Sequence, residues 1–443
     1  MVSENIKTAL IRLAMATCTR CIIGTCAIIA PNTVAAQDTS SQQLRAAISI
    51  EECYTMAKKN YPLIKKYALI EKSREYSLSN ANKNYLPQLS LSAKATYQSE
   101  VMEFPASLPI SGIPVIPKDQ YNAAITLNQI IWDGGVTSGS KKQIKANAQV
   151  EQTSLESDLY TIRERINNLY FGILLAKEQI NQTKIFKKEL EINYKNIESY
   201  ISAGLANGAD LDIVKVEQLK NTQRQKELES TQESYLQMLS YLTGVHIKEI
   251  SIPIILQNPP QQQENRRPEL ALFEAQITQQ QMKRIQINAA VMPKFSLFLE
   301  GGVGNPALNM LDPGFRGYGM GGVKLAWNFG GFYTRKNDLN LMNTAKQTIE
   351  TQKDIFLFNT NMEAIQEKGE IDKIKKLVED DNRIIILKEN IIKAAQVKAA
   401  NGTMTMNELL NEINSRQEAV QTKIYHNIQF MLATYNLKYT LNQ

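Results

Sequence analysis

Four stretches of the chain alternate apolar and polar residues with a period of two. In "PQLSLSAKATYQ", Leu89, Leu91, Ala93, Ala95 and Tyr97 interleave with Ser90, Ser92, Lys94, Thr96 and Gln98. In "YNAAITLNQI", Tyr121, Ala123, Ile125 and Leu127 share one side, with Asn122, Thr126 and Asn128 largely on the other. "KFSLFLEGGV" carries Phe295, Leu297 and Leu299 at the same period, and "YGMGGVKLAW" carries Val323, Leu325 and Trp327. Strict alternation over about ten residues predicts strands with one apolar and one polar face. The segments fall into two pairs, each joined by a loop punctuated by proline and glycine, "FPASLPISGIPVIPKD" and "NPALNMLDPGFR".

Outside these pairs the period changes. Ile162, Ile166, Leu169, Ile173, Ala176 and Ile180 are spaced alternately by four and three, and Leu190, Tyr194, Ile197 and Ile201 resume the seam. Ile371, Ile374, Val378, Ile385, Ile392, Ala395 and Ala399 follow the same heptad logic. Such spacing predicts helices packed along coiled-coil seams. The tracts Gly135–Gly204 and Gly331–Gly402 each span about 70 residues, or roughly 100 Å if continuous. Both end in a matching turn, "ISAGLANGADLDIVKVE" and "VKAANGTMTMNELLNEI", with Gly204 and Gly402 as left-handed helix ends. Asp210-Leu211 and Glu408-Leu409 follow their glycines at the same distance. A return helix is expected after each turn.

The same order thus occurs twice: helix, proline stop, strand pair, long helical hairpin. Pro87 and Pro293 are the stops, because proline cannot continue a helix and biases its predecessor to extended geometry. We expect a first repeat over 37–248, with its strand pair at 87–132 and its hairpin at 136–244. A linker at 249–267 leads to a second repeat over 268–443, with strands at 293–328 and a hairpin at 332–440.

The stretch "NQIIWDGGVTSGSKK" (128–142) raises a separate question, whether its glycines cradle a phosphate. A P-loop needs its second glycine followed at once by lysine and then a hydroxyl residue. Here Gly139 is followed by Ser140, and Lys141 by Lys142. The pattern also recurs as "AWNFGGFYTRKN" (326–337), which points to a strand-to-helix corner used twice. "GYGMGG" (317–322) leads into a strand rather than a helix and carries no dinucleotide signal.

Composition narrows the function classes. The 443 residues carry a formal charge of +6, with lysines and acids interspersed. No basic run with interleaved aromatics marks a nucleic-acid surface. Only His246 and His426 are available, neither near a cysteine or paired carboxylates in sequence, so a metal site or histidine-based triad has little to build on. No cofactor is expected. Residues 1–36 have the form of an export signal: Lys7, Arg12 and Arg20, then "CIIGTCAIIA", then small residues that suit cleavage after Ala36. Cleavage would remove Cys18, Cys21 and Cys26 and leave Cys53 alone, without an internal disulfide. No later segment holds some 18 consecutive apolar residues, a criterion blind to β-barrels.

Four strands leave unpaired edges, which lipid does not tolerate, and single barrels need at least eight strands. The chain is therefore expected to close a barrel only by oligomerising, as a dimer of eight strands or a trimer of twelve. Helices of this length and polarity must project from the membrane.

The order and duplication of "SIEECYTMAKKNYPLI", "NYLPQLSLS", "WDGG", "NLYFGILLAKEQI", "SAGLANGADL", "RRPELALFEAQI", "MPKFSLF", "WNFGG" and "AANGTMTMNELL" resemble the TolC-like outer-membrane efflux proteins over nearly the whole mature chain. The resemblance implies an α+β membrane protein with four β-strands per protomer. A homotrimer would build a twelve-stranded transmembrane β-barrel in outer-membrane lipid, continued by a periplasmic α-helical coiled-coil barrel. It implies an exit duct, not an enzyme, working with a periplasmic adaptor protein and an inner-membrane efflux pump or ABC exporter. It also implies gate residues at the hairpin tips: Glu408 and Asn411 fall where an acidic ring is usual, and Asp210 at the corresponding place in the first hairpin. Met404 takes a place that is arginine in some members, so a salt-bridged latch of that kind is not expected. Gly204, Leu211, Gly402 and Leu409 are the implied adaptor-contact tips. Two other classes stay open at this point. A periplasmic coiled-coil scaffold without a pore would fractionate as soluble protein. An enzyme would need an acid, base or metal constellation that the sequence does not offer.

Overall fold

The computed structural model describes residues 47–102, 116–204, 206–253, 264–310, 312 and 314–442. The expected signal with its cleavage point, loop residues 103–115 and linker residues 254–263 lie outside the described residues. The elements run α1 (Ile50–Asn60), a 3-10 turn (Pro62–Lys65), α2 (Lys66–Lys83), β1 (Gln88–Tyr97), β2 (Asp119–Trp132), α3 (Val136–Tyr160), α4 (Ile162–Ser202) and α5 (Gly208–Thr243). They continue with α6 (Pro268–Ala290), β3 (Lys294–Asn305), β4 (Arg316–Ala326), α7 (Gly331–Ala400) and α8 (Met406–Leu441).

The strands form one antiparallel sheet in the order β1-β2-β3-β4. The β2–β3 pairing joins the two repeats, with Leu127 opposite Leu299 and Ala123 opposite Val303, and a bulge between Ile130 and Trp132. Cross-strand partners share a face, so the register aligns the alternations seen in the sequence. Leu91, Ile125, Gly301 and Gly319 form one rung of the apolar face; Ser90, Thr126, Glu300 and Met320 form the neighbouring rung of the other.

The long helices pack as two antiparallel hairpins, α4 with α5 and α7 with α8, while α3 packs on α6 nearer the sheet. The predicted seams are the packed faces: Ile166, Ile173, Ile180, Leu190 and Ile197 are buried on α4, and Ile371, Ile374 and Ile392 on α7. The tract expected as one helix from Gly135 is interrupted at Thr161, whose hydroxyl donates to the Asp158 carbonyl at 2.8 Å. A threonine hydroxyl bonding back to the preceding turn competes with the helix ladder there. Helix α7 has no such interruption over its 70 residues and extends about 105 Å.

A central core joins α1, α3, α4, α5 and α8 around Tyr170, Phe171, Leu174, Leu239 and Tyr435. The Tyr170 hydroxyl lies 2.9 Å from the Ile48 carbonyl and 2.6 Å from that of Ser251. It thus fastens the short Ile48–Ile250 bridge onto α4. Beside this core Arg267 opens α6. Its guanidinium sits over the rings of Tyr160, Tyr439 and Phe356 and pairs with Glu269, clamping the ends of α3 and α8 to α7. His426 and Asp381 approach to 2.6 Å across α7 and α8, a contact that their 45-residue separation hides in the sequence. Closer to Arg267, Glu367 accepts from the Thr440 hydroxyl at 3.1 Å. Burial first, and Glu363 beside it, push its carboxyl up to about 7 against the pull of the Thr440 hydroxyl.

The Trp-Asp-Gly-Gly stretch is a corner. Asp133 is 5% exposed, and its carboxylate accepts from Gly135 N at 3.0 Å, Thr137 N at 2.7 Å and the Tyr85 hydroxyl at 3.1 Å. Burial by itself would raise this carboxyl; the donors outweigh it and hold the group below its ordinary value. Gly134 and Gly135 both take positive φ, 71° and 91°. The second corner is built differently. Gly330 keeps a right-handed φ of −58°, Asn328 accepts from Gly330 N at 2.9 Å, and Trp327 donates to the Val291 carbonyl at 3.0 Å. One sequence pattern thus makes two backbone solutions.

Two outcomes test this account. A Cβ at Gly134 would meet Met292 Cβ at 2.6 Å in a left-handed backbone, so Gly134→Ala should lower the melting midpoint more than Gly135→Ala, whose Cβ meets nothing within 4 Å. Equal midpoints would refute the close approach. Glu367 is a carboxyl raised when folded, so the folded state binds the extra proton between its unfolded value of 4.5 and about 7. Wild type should therefore lose stability as pH rises through that window, and Glu367→Gln should not. Parallel pH profiles for the two would refute the assignment.

Candidate functional site: membrane band and helical tip

The apolar face of the sheet is uncovered by the chain's own residues: Leu91 is 76% exposed and Val323 68%. A contiguous apolar surface of this kind marks an interaction with lipid or protein. Aromatic residues bracket it. At the end nearer the helices, Trp132 meets Phe295 at a tilt, with ring centres 5.9 Å apart, and Trp327 meets Phe329 at 4.8 Å. At the far end Tyr121 stacks on Phe315 at 6.0 Å. From Leu89 to Tyr97 strand β1 climbs about 27 Å at about 3.4 Å per residue, or about 20 Å when tilted as barrel strands are. An outward apolar band of that height between aromatic girdles suits a bilayer. No helix among the described residues is long and apolar enough to cross a membrane, so the sheet is what lipid can surround.

At the other end, the hairpin tips pack on each other. Phe186, Leu190, Ile197, Val214, Ile392, Ala395, Met406, Leu410 and Ile413 form a buried cluster between α4–α5 and α7–α8. Glu189 pairs with Arg416 between the hairpins, and Lys388 with Glu412 at 3.3 Å within the second. Each return helix starts in a reciprocal cap. Asn207 accepts from Ala209 N and Asp210 N, while Asp210 accepts from Asn207 N at 3.0 Å. The Thr405 hydroxyl accepts from Glu408 N at 3.2 Å, and the Glu408 carboxylate accepts from Thr405 N at 2.8 Å. Hydrogen bonds from the Thr405 backbone, then its side chain, hold the Glu408 carboxyl below its ordinary value.

The eight residues singled out in the sequence all lie at this tip. Glu408, Asn411, Gly204 and Gly402 are exposed, and Asp210 is half-buried. Gly204 and Gly402 take positive φ, 72° and 68°. Leu409 is 5% exposed within the cluster, and Leu211 and Met404 pack against it. Of the eight, the exposed residues are thus two glycines, Glu408 and Asn411, while Leu409 supports the tip from inside. Among the described residues, no group of three or more His, Cys, Asp or Glu is placed to hold a metal. The reciprocal caps are legible in the sequence as Thr-x-x-Glu and Asn-x-x-Asp. The Arg416–Glu189 pair spans 227 positions and has no local signal.

Residues 53–245 match the family described as Outer membrane efflux protein. That match spans less than half of the chain and shows what this segment is similar to. No curated protein matches the sequence of this chain. Its fold matches solved structures closely. CusC, in a study of folding and transmembrane channel formation, aligns at 12% identity and a TM-score of 0.64, over 90% of this chain and 95% of that one. A membrane protein from Pseudomonas aeruginosa aligns at 14% identity and 0.63, over 88% and 90%. The Campylobacter jejuni CmeC outer membrane channel aligns at 14% and 0.60, over 95% and 93%. At such identities the structures speak for the fold. The matched family is described as one of outer membrane efflux proteins, and the similar structures include outer membrane channels.

Thr405→Ala removes the hydroxyl that caps α8, a loss of about 1 kcal/mol for an N-cap. Amide exchange should speed up over the first turn of α8 and leave α5 unchanged. Unaltered protection at Met406–Leu409 would show that the cap does not hold the tip.

Proposed function

We propose that three copies of this chain assemble into one passive exit duct. In this reading their sheets join edge to edge as a twelve-stranded barrel, and their hairpins form a periplasmic tube. The duct receives substrate from an inner-membrane efflux pump or ABC exporter through a periplasmic adaptor that meets the hairpin tips near Gly204 and Gly402. The observation that carries this reading is the sheet itself. β1 and β4 each have one unpaired edge, and an edge cannot remain open in hydrocarbon. A second observation agrees. Helix α7 leaves Ile355, Phe358, Met362 and Ile365 exposed at spacings of three and four, the pattern of a helix awaiting a further seam.

At the entrance we assign a single carboxylate ring, at Glu408. Asn411 is uncharged, and Met404 supplies no partner for a salt-bridged latch. One ring attracts cations less than two would.

Fractionation of cells making the full chain should place it with outer-membrane markers, and its mass in mild detergent should equal three chains. A monomer in the osmotic-shock fluid would overturn the duct. The ring is tested separately by Glu408→Gln in planar bilayers. Glutamine still serves a capping box, so the change removes charge and spares the helix start. Cation preference should fall; unchanged preference and conductance would refute the ring.

A further inference from the structure

The polar face of the sheet holds a side-chain arrangement that neither the fold nor the tip requires. Glu300 of β3 has its two carboxylate oxygens held from opposite sides. Oε1 accepts from the Tyr318 hydroxyl of β4 at 3.1 Å, and Oε2 accepts from the Thr126 hydroxyl of β2 at 3.3 Å. The Tyr318 oxygen accepts in turn from Asn122 Nδ2 at 2.9 Å. Tyr318 stands on β4 and Asn122 on β2, with β3 between them. The hydroxyl bridges that strand at Gly302, the partner of Tyr318, and Gly304, the partner of Asn122. Neither glycine has a side chain to block it. A Cβ at Gly304 would crowd Asn122 Nδ2 at 3.2 Å, and one at Gly302 would meet the Ala123 carbonyl of β2 at 2.6 Å, so both positions suit glycine although β-propensity alone disfavours it.

The carboxylate has no ion-pair partner among the described residues. Cationic residues of the same face stand on rungs well removed along the strands. Lys94 and Arg316 share the Asn122–Gly304 rung, Lys324 is opposite Ser296, and Lys294, opposite Ala326, stands one rung further still. The Gly304 and Ser296 rungs lie about 14 Å along β3 from Glu300 at about 3.4 Å per residue, beyond the Debye length of about 8 Å at physiological salt. Arg316 is moreover engaged by Asp312 at 2.9 Å. A single fixed anion thus sits between two cationic rungs, oriented by neutral hydroxyls.

We propose that Glu300 is a cation-binding and cation-selecting site inside the barrel, separate from the periplasmic tip. This rests on the trimeric barrel proposed above, in which the polar face lines the lumen and three Glu300 carboxylates form a ring partway through the bilayer. Such a ring attracts small inorganic cations and cationic organic solutes, and repels anions, through a field that salt weakens. Tyr318 and Thr126 are positioning residues, keeping the carboxylate aimed across the face instead of folded against its own strand.

The test uses full-length trimers in planar bilayers, with reversal potentials read under potassium chloride gradients. Glu300→Gln should lose a measurable part of the cation-to-anion permeability ratio at about 0.1 M salt and much less at about 1 M. Tyr318→Phe, which keeps the charge, should lose a smaller part. Glu300→Cys, in a chain with Cys18, Cys21 and Cys26 replaced by serine, provides an independent measurement within one assembled channel, since Cys53 is buried. An anionic thiol reagent should restore the ratio, and a neutral one should not. Wild-type trimers that conduct with the same ratio as Glu300→Gln and as unlabelled Glu300→Cys would overturn this site and leave the duct standing. Wild-type protein that forms neither trimers nor conductance would overturn the barrel and the site together.

Discussion

A backbone polar group in hydrocarbon has no water to turn to, and that constraint orders this protein. The sheet satisfies its interior hydrogen bonds through three antiparallel ladders and leaves its outer edges to be met from elsewhere. Its apolar face is fully uncovered in the single chain, and its aromatic residues gather at the two ends of the strands. A surface so costly in water is economical only where lipid replaces the water. The length and polarity of the helices then follow, because what emerges from the membrane must stand in solvent and pack on itself.

The helical part solves a different problem with the same economy. Each hairpin buries one seam and keeps its polar face wet, so the long rods need no thick core. Stability is concentrated at three places: the central core around Tyr170, the aromatic clamp on Arg267 and the apolar cluster at the tips. Between them the rods are held by a narrow stripe. The charged residues at the tip act first on the local backbone. Asp210 and Glu408 both complete caps, and any effect of Glu408 on passing ions is superimposed on that duty.

The duplication is imperfect in instructive ways. Both repeats place a Trp, an Asx residue and a Gly pair after a strand, yet only the first uses left-handed glycines and a buried aspartate. The second begins its helix at the second glycine of the pair, Gly331. The first long tract breaks at Thr161, whereas the second runs unbroken. A shared pattern constrains the direction of the chain at each corner and leaves the backbone conformation to local donors and neighbours.

Periodicity was enough to assign strands, seams and hairpins, because a period of two or of three and four states which side of an element must be buried. The reciprocal caps were equally local and equally present, since their donors and acceptors lie three residues apart. The rest depended on residues far apart in sequence. His426 with Asp381, Arg416 with Glu189, the burial of Leu409 and the reach of Tyr318 across two glycines all arise when separate helices or strands are laid side by side. Short-range sterics and hydrophobic spacing were enough to set the elements and their exposed and buried faces. Tertiary structure alone decided which charges meet, which leucine is hidden and which glycine is crossed, because those depend on register between elements that no local pattern encodes.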